Sequence, residues 1–191
     1  MRKLKLYFIT SNKHKYHEIR RILELEAPWI EFEVASNVQK LEIQSDDLKK
    51  IVLFAAENAL QSFDEPFIIE EAGLFIDALG GFPGPYSSYV YKTIGCDGIL
   101  KLMHGVQDRS AEFQSVIALH YGGIIKLFLG RIRGVIAGEK RGASGFGFDP
   151  IFIPENDNRT FAEMSTDEKN LVSHRGKSAR KMILFLRDIL R

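Results

Sequence analysis

From residue 3 to residue 10 the chain alternates lysine with leucine and then runs apolar through Tyr7, Phe8 and Ile9, the pattern of a strand entering a buried sheet. The run stops at a polar cluster. Over residues 12–26 the spacing of Tyr16, Ile19, Ile22, Leu23 and Leu25 is helical, and Pro28 lies just beyond. Short strands are expected at 31–35 and 40–44, after which Ser45, Asp46 and Asp47 supply an N-cap and first-turn acids. Leu48, Ile51, Val52, Ala55, Ala56, Ala59 and Leu60 then make one clean apolar helical face.

Residues 66–69 predict a buried strand that delivers Glu70 and Glu71 at its exit, with Gly73 as the breaker. Residues 80–85, Gly-Gly-Phe-Pro-Gly-Pro, make a tight loop, and helical pieces are expected at 87–93 and 97–103. Ala111, Phe113, Ser115, Ile117, Leu119 and Tyr121 fall on one face by alternation, Gly122 and Gly123 turn, and 124–133 return, which predicts a long hairpin. A glycine-rich aromatic segment at 142–150 leads to a short strand at 151–153. Ser165 to Glu168 has capping-box spacing, and Ala179, Met182, Ile183, Leu186, Ile189 and Leu190 line a last helix. Strand-helix units around a central hairpin argue for one α/β domain over residues 1–191 with a mixed sheet.

Composition narrows the partners. With 26 basic and 25 acidic side chains the net charge is +1, so no global field draws the chain to a nucleic-acid polymer, although a few local cations suffice for a small anion. No apolar stretch approaches the roughly 20 residues of a membrane helix, and the start, with Arg2, Lys3 and Lys5, has no secretory apolar run. One cysteine, Cys96, excludes an intramolecular disulfide and fits a reducing compartment, so the cytoplasm is expected. The five histidines lack the paired cysteines of a structural zinc site.

Four segments carry candidate chemistry. Thr10, Ser11, Asn12, Lys13, His14 and Lys15 stand where a strand hands over to a helix, where unpaired N–H groups and the helix dipole favour an anion; the same residues also make an ordinary capped helix start. The spacing is not that of a P-loop. Glu42, Glu70 and Glu71 are acids of the kind that hold Mg²⁺ together with substrate phosphates, or else one of the adjacent pair is a solvated charge at a strand end. Neighbours on a regular strand face opposite ways, so Glu70 and Glu71 share a site only if the strand has ended there. Phe146, Gly147, Phe148 and Asp149 offer rings on which a planar base stacks, or else core side chains beside a turn, the reading that suits Phe148 better. Lys169 is a point charge suited to phosphate, and His174 and Arg175 are donors for a base edge or phosphate, or a helix cap with solvated charges.

In this order the pieces resemble the inosine triphosphate pyrophosphatase, or Ham1-like, family. The match lies in Thr10-x-Asn12-x-x-Lys15, Glu42-x-Gln44, Glu70-Glu71-Ala72-Gly73-Leu74, Gly81-x-Pro83-Gly84-x-Tyr86-Ser87, Gly145-Phe146-Gly147-Phe148-Asp149-Pro150, Phe161-Ala162-Glu163-Met164, and Lys169 followed by Ser173-His174-Arg175. The resemblance implies an elongated mixed β-sheet flanked by helices, two lobes around a central cleft, and a homodimer. It implies Mg²⁺-dependent hydrolysis of purine nucleoside triphosphates such as ITP, dITP and XTP to the monophosphate and pyrophosphate. It assigns residues 10–15 to the triphosphate, Glu42, Glu70 and Glu71 to the metal, and Glu71 also to proton acceptance. Ala72, Phe146 to Asp149, Lys169, His174 and Arg175 then surround the substrate.

This chain departs from that pattern at two places. Glu71 and Ala72 stand where the family usually has Asp followed by Ser or Thr, and the helix over 46–62 lacks a lysine between residues 51 and 60. Two rival readings stand beside it: a nucleotide-binding sensor that has lost catalysis through the Glu70-Glu71-Ala72 changes, or a structural or interaction protein whose motifs are incidental and that binds no triphosphate.

Overall fold

The computed structural model describes residues 3–190, so Arg2 of the basic start lies outside the described residues. The chain opens as expected, with β1 (Leu4–Phe8), α1 (Lys13–Glu26) and β2 (Ile30–Val34). Residues 40–44, expected as a strand, are irregular instead; Lys40 and Glu42 there pair with each other rather than with a sheet. Asp47 caps α2 (Leu48–Ala59) by accepting from the Lys49 N–H.

The third strand corrects the expected break at Gly73. β3 runs unbroken from Phe67–Ile76, through Glu70, Glu71 and Gly73. Gly73 is there for close approach: a Cβ would lie 2.3 Å from the Gly84 carbonyl oxygen of β4 (Pro83–Gly84), which pairs with β3 at Leu74 and Phe75. Then come α3 (Ser87–Thr93), α4 (Gly95–Leu102), the long hairpin β5 (Ser110–Tyr121) and β6 (Ile124–Ile136), β7 (Phe152–Pro154), α5 (Thr166–Val172) and α6 (His174–Ile189).

Among the described residues the seven strands form one mixed sheet in the order β2-β1-β3-β5-β6-β7, with β4 on the edge of β3. β1 runs parallel to β2 and β3, and the rest pair antiparallel. β5 is buried on both faces over most of its length because helices cover both. On one face Ile68, Ile117, Leu119 and Phe128 pack on α1 and α6. On the other, Phe67, Ile69, Val116 and Ala118 pack on α2. Beyond these, the far ends of β3, β5 and β6 carry a separate core with α3, α4 and β7, built on Leu74, Phe113, Ile132, Phe148 and Phe152. The chain therefore has two lobes on one sheet, and the strand segments joining them carry Glu70, Glu71 and Ser115. No described helix is long and apolar enough to cross a membrane.

Candidate active site

The site is set by a gap in the sheet. Along one edge of β3, pairing with β1 reaches Phe8 and Ile68 and closes with the Ile9 N–H on the Ile68 carbonyl; β4 takes up the same edge again at Leu74. Between them the backbone edge around Glu70 and Glu71 has no strand partner among the described residues. Lys15 fills the position that β1 vacates. Its ammonium donates to the Glu70 carbonyl at 3.0 Å and lies 3.0 Å from Glu70 Oε2 and 3.5 Å from Glu71 Oε2. The two acids do leave opposite faces of β3, Glu70 toward α6 and Glu71 toward α2. A cation at the strand's open edge reaches both, so they share a site although the strand continues.

Local chemistry aims Lys15. Thr10 Oγ1 accepts from the Asn12 N–H and Asn12 Oδ1 from the Lys15 N–H, each at 3.1 Å, which caps α1 and turns its first residues toward β3. Ser11, Lys13 and His14 are exposed at this turn. The His14 ring stacks on Phe146, centroids 5.0 Å apart, so the helix start and the glycine-rich loop meet face to face.

Behind Glu70 lies a buried ion network that sequence reasoning missed. Glu70 Oε1 accepts from Ser115 at 2.7 Å and from Arg175 Nε at 3.2 Å. Arg175 Nη1 donates to Glu18 at 2.5 Å, Glu18 also accepts from Lys169 at 2.7 Å, and Lys169 donates to Asp149 at 2.5 Å. Three cations, Lys15, Arg175 and Lys169, thus alternate with three acids, Glu70, Glu18 and Asp149. α6 comes close enough to close the network because Gly130 of β6 has no side chain; a Cβ there would sit 2.0 Å from the His174 carbonyl oxygen. Ser178, one turn into α6, adds a hydroxyl 2.9 Å from that of Ser115. The signal for Glu18 was present: a carboxylate three residues after Lys15 and four before Ile22, on the apolar face of α1.

Electrostatics follow from this arrangement. Burial alone would raise the Glu70 carboxyl, but Arg175, Lys15 and the Ser115 hydroxyl outweigh it and hold it well below the ordinary value. Glu18 is lowered in the same way, with Arg175 and Lys169 overcoming burial. For Asp149 burial wins against Lys169 and the value rises. His174 is lowered by burial and by the cations Arg175 and Lys169, which keeps the imidazole neutral. It stacks on Phe113 at 4.6 Å, and its buried Nδ1 has no partner among the described residues.

Several residues expected around the substrate are buried and already partnered within the chain. Lys169, expected at the phosphates, is 2% exposed, and its ammonium pairs with Glu18 and Asp149. Phe148 is in the core of the second lobe, edge-on to Tyr91 at 5.5 Å. Asp149 turns inward, where it takes Lys169 and the Phe146 N–H at 2.8 Å and so fixes the loop. Phe146 is left as the accessible ring, half-buried beneath His14, with Lys169 Nζ 4.9 Å and Arg175 Cζ 5.4 Å from its centroid. Gly147 is half-buried beside it, and its carbonyl accepts from Cys96, whose thiol burial pushes up to about 11. Ala72 is half-buried on the Glu70 side of β3, opposite Ser115.

The three acids expected at the metal are separated by lysines. Glu42, half exposed, accepts from Lys40 at 2.8 Å, and the same ammonium contacts Glu71 Oε1; Lys15 stands between Glu71 and Glu70. Among the described residues no three acidic, histidine or cysteine side chains converge into a closed metal cage. Two buried oxygens, Glu70 Oε2 and Glu71 Oε1, touch an ammonium but make no well-aligned hydrogen bond. Hard oxygens of this kind fit Mg²⁺, which takes one or two carboxylates and completes its shell with phosphates and water.

Known proteins match this architecture along nearly its whole length. A pyrophosphatase of Hyperthermus butylicus named for dITP and XTP is 52% identical over 94% of this chain and 93% of its own. One of the same name from Thermococcus kodakarensis is 48% identical over 98% and 100%. A solved HAM1 protein from Coxiella burnetii superposes with a TM-score of 0.85 at 29% identity, over 97% of this chain and 99% of that one. The Ham1 family model matches residues 6–185, and this chain belongs to the Ham1 family.

Proposed function

We propose that this chain hydrolyses the deaminated purine nucleoside triphosphates dITP, XTP and ITP to the monophosphate and pyrophosphate. The observation that carries this reading is the open edge of β3, where Lys15, Glu70 and Glu71 meet and where Arg175 ties Glu70 to the Phe146 ring. Phosphates at the edge and a base on the ring then fit one molecule. The names of the relatives agree with it.

In this reading water attacks the α-phosphorus in line and pyrophosphate leaves. Lys15, with Lys13 exposed beside it, neutralises the triphosphate, and Glu71 orients and deprotonates the water. Glu42, Glu70 and Glu71 would hold Mg²⁺, which when bound supplies charge neutralisation at the phosphates. The base stacks on Phe146 in the place of His14. Its C6 carbonyl accepts from neutral His174 or from Arg175, whose Nε and Nη1 are already engaged by Glu70 and Glu18, leaving Nη2. Adenine presents a donor at that position and leaves buried donors facing donors.

A panel of ITP, dITP, XTP, GTP and ATP with Mg²⁺, reading pyrophosphate and orthophosphate separately, tests this. Pyrophosphate release is expected with ITP, dITP and XTP, and kcat/KM for ATP at least about a hundredfold lower. Orthophosphate as the primary product excludes the mechanism, and binding without turnover leaves a sensor.

We further propose a homodimer through the aromatic surface of the second lobe. The strand β5 of the hairpin is largely buried, whereas Phe82, Tyr86, Tyr89, Tyr91 and Ile94 are 40–70% exposed. Tyr89→Glu is expected to convert the dimer to a monomer in sedimentation; a wild-type protein that sediments as a monomer removes the proposal.

A further inference from the structure

Lys40 belongs to none of the motifs that carry the family resemblance, yet its ammonium bridges Glu42 and Glu71 from the α2 side of the gap. Helix α2, packed on the same face of the sheet, turns apolar side chains to it, Leu48, Val52, Ala55, Ala56 and Ala59. Lys15 and Lys40 are the two cations that contact Glu71 among the described residues, and they are held differently. Lys15 is anchored on a capped helix and bonded to the Glu70 carbonyl. Lys40 rises from the irregular segment between β2 and α2, and its ammonium contacts only the two carboxylates among the described residues. It is nonetheless largely buried, with 18% of its side chain exposed.

We propose that Lys40 is a tethered counter-ion that occupies the Glu42–Glu71 pair in the free protein, competes there with a divalent cation, and moves onto the phosphates when the nucleotide arrives. The inference rests on the reading that this site takes a triphosphate together with a divalent cation. Without Lys40, Glu42 and Glu71 face each other as like charges around Lys15 alone, an arrangement that repels until a cation enters. With Lys40, that charge is already matched, so the free protein gains little from a metal ion. A nucleotide supplies a competing anion for the ammonium and a second set of oxygens for the metal, so metal and nucleotide enter together. Lys40 is thereby a positioning residue for substrate. It brings from a loop the cation that α2 lacks between residues 51 and 60.

The test is a titration of nucleotide-free protein with Mn²⁺, read as free Mn²⁺ by electron paramagnetic resonance, for wild type, Lys40→Met and Lys40→Arg. Removing one charge next to the carboxylates is expected to tighten Mn²⁺ binding by about tenfold or more in Lys40→Met, while Lys40→Arg stays near wild type. The KM for ITP is expected to move the other way, rising several-fold in Lys40→Met. Circular dichroism and the thermal midpoint verify folding, and Lys40→Gln replaces the methionine variant if that does not fold. Unchanged or weaker Mn²⁺ binding in a folded variant overturns the proposal. The Mn²⁺ titration needs no turnover, so a failed hydrolysis panel and a failed counter-ion remain distinguishable.

Discussion

Glu71→Gln is expected to lower kcat for ITP by about 10²- to 10⁴-fold, the range that a positioned general base contributes, and to leave the dissociation constant of an unhydrolysable analogue within a few-fold of wild type. The substitution keeps the length of the side chain and one oxygen, which can still accept from one of the two ammonium groups that contact the carboxylate, Lys15 at Oε2 or Lys40 at Oε1. What it loses is the charge and the ability to take a proton. Glu71→Asp retains both and retracts the carboxylate by one methylene, so it is expected to keep far more turnover than the glutamine variant. Single-turnover rates with separate binding measurements check the pair. Near-normal kcat in Glu71→Gln would remove this residue from the chemistry, and equal losses in both variants would mean that position rather than basicity matters.

The elements that periodicity describes well are the ones found: α1, α2, the hairpin and α6 each rest on an apolar face that packs as the pattern requires. What the pattern could not carry was the behaviour of neighbours in space. Gly73 reads as a breaker by its local preference, but its role is to admit the Gly84 carbonyl, a residue that only the folded sheet brings close. Glu70 and Glu71 do meet on one cation, Lys15, but not because the strand ends after them. It is β1 that ends, not β3, and no local signal in residues 66–76 records where a partner strand stops. Lys169 and Asp149 show the same limit. A charged residue read along the chain defaults to solvent or ligand, and only the fold shows that each is the other's partner 20 residues away.

Glu18 is the acid on which this network turns, and Glu18→Gln is expected to destabilise the protein by about 3 to 5 kcal/mol, the usual cost of removing one partner from a buried ion pair. For a chain of this size that is a fall in Tm of roughly 10 °C, measurable by scanning calorimetry. The reason lies in the count of charges. Lys169 keeps only Asp149, whose own carboxyl burial already raises, and Arg175 keeps only Glu70. A surface pair offers a control. Arg21→Ala breaks the ion pair with Asp167, in which both side chains are about half exposed, and is expected to change Tm by less than about 2 °C. Acid titration gives a second, independent readout. Because the folded value of Glu18 is depressed, its contribution is full above the unfolded value of 4.5 and is lost as the pH falls below that toward the folded one. The variant should therefore lose stability less steeply than wild type below pH 4.5, with the two curves converging as the pH falls. A parallel pair of curves would place the stabilisation in packing and not in charge. Because Arg175 joins Glu18 to Glu70, the same substitution is expected to loosen Arg175 against the Phe146 ring and raise the KM for ITP, so stability and recognition share one buried set of charges.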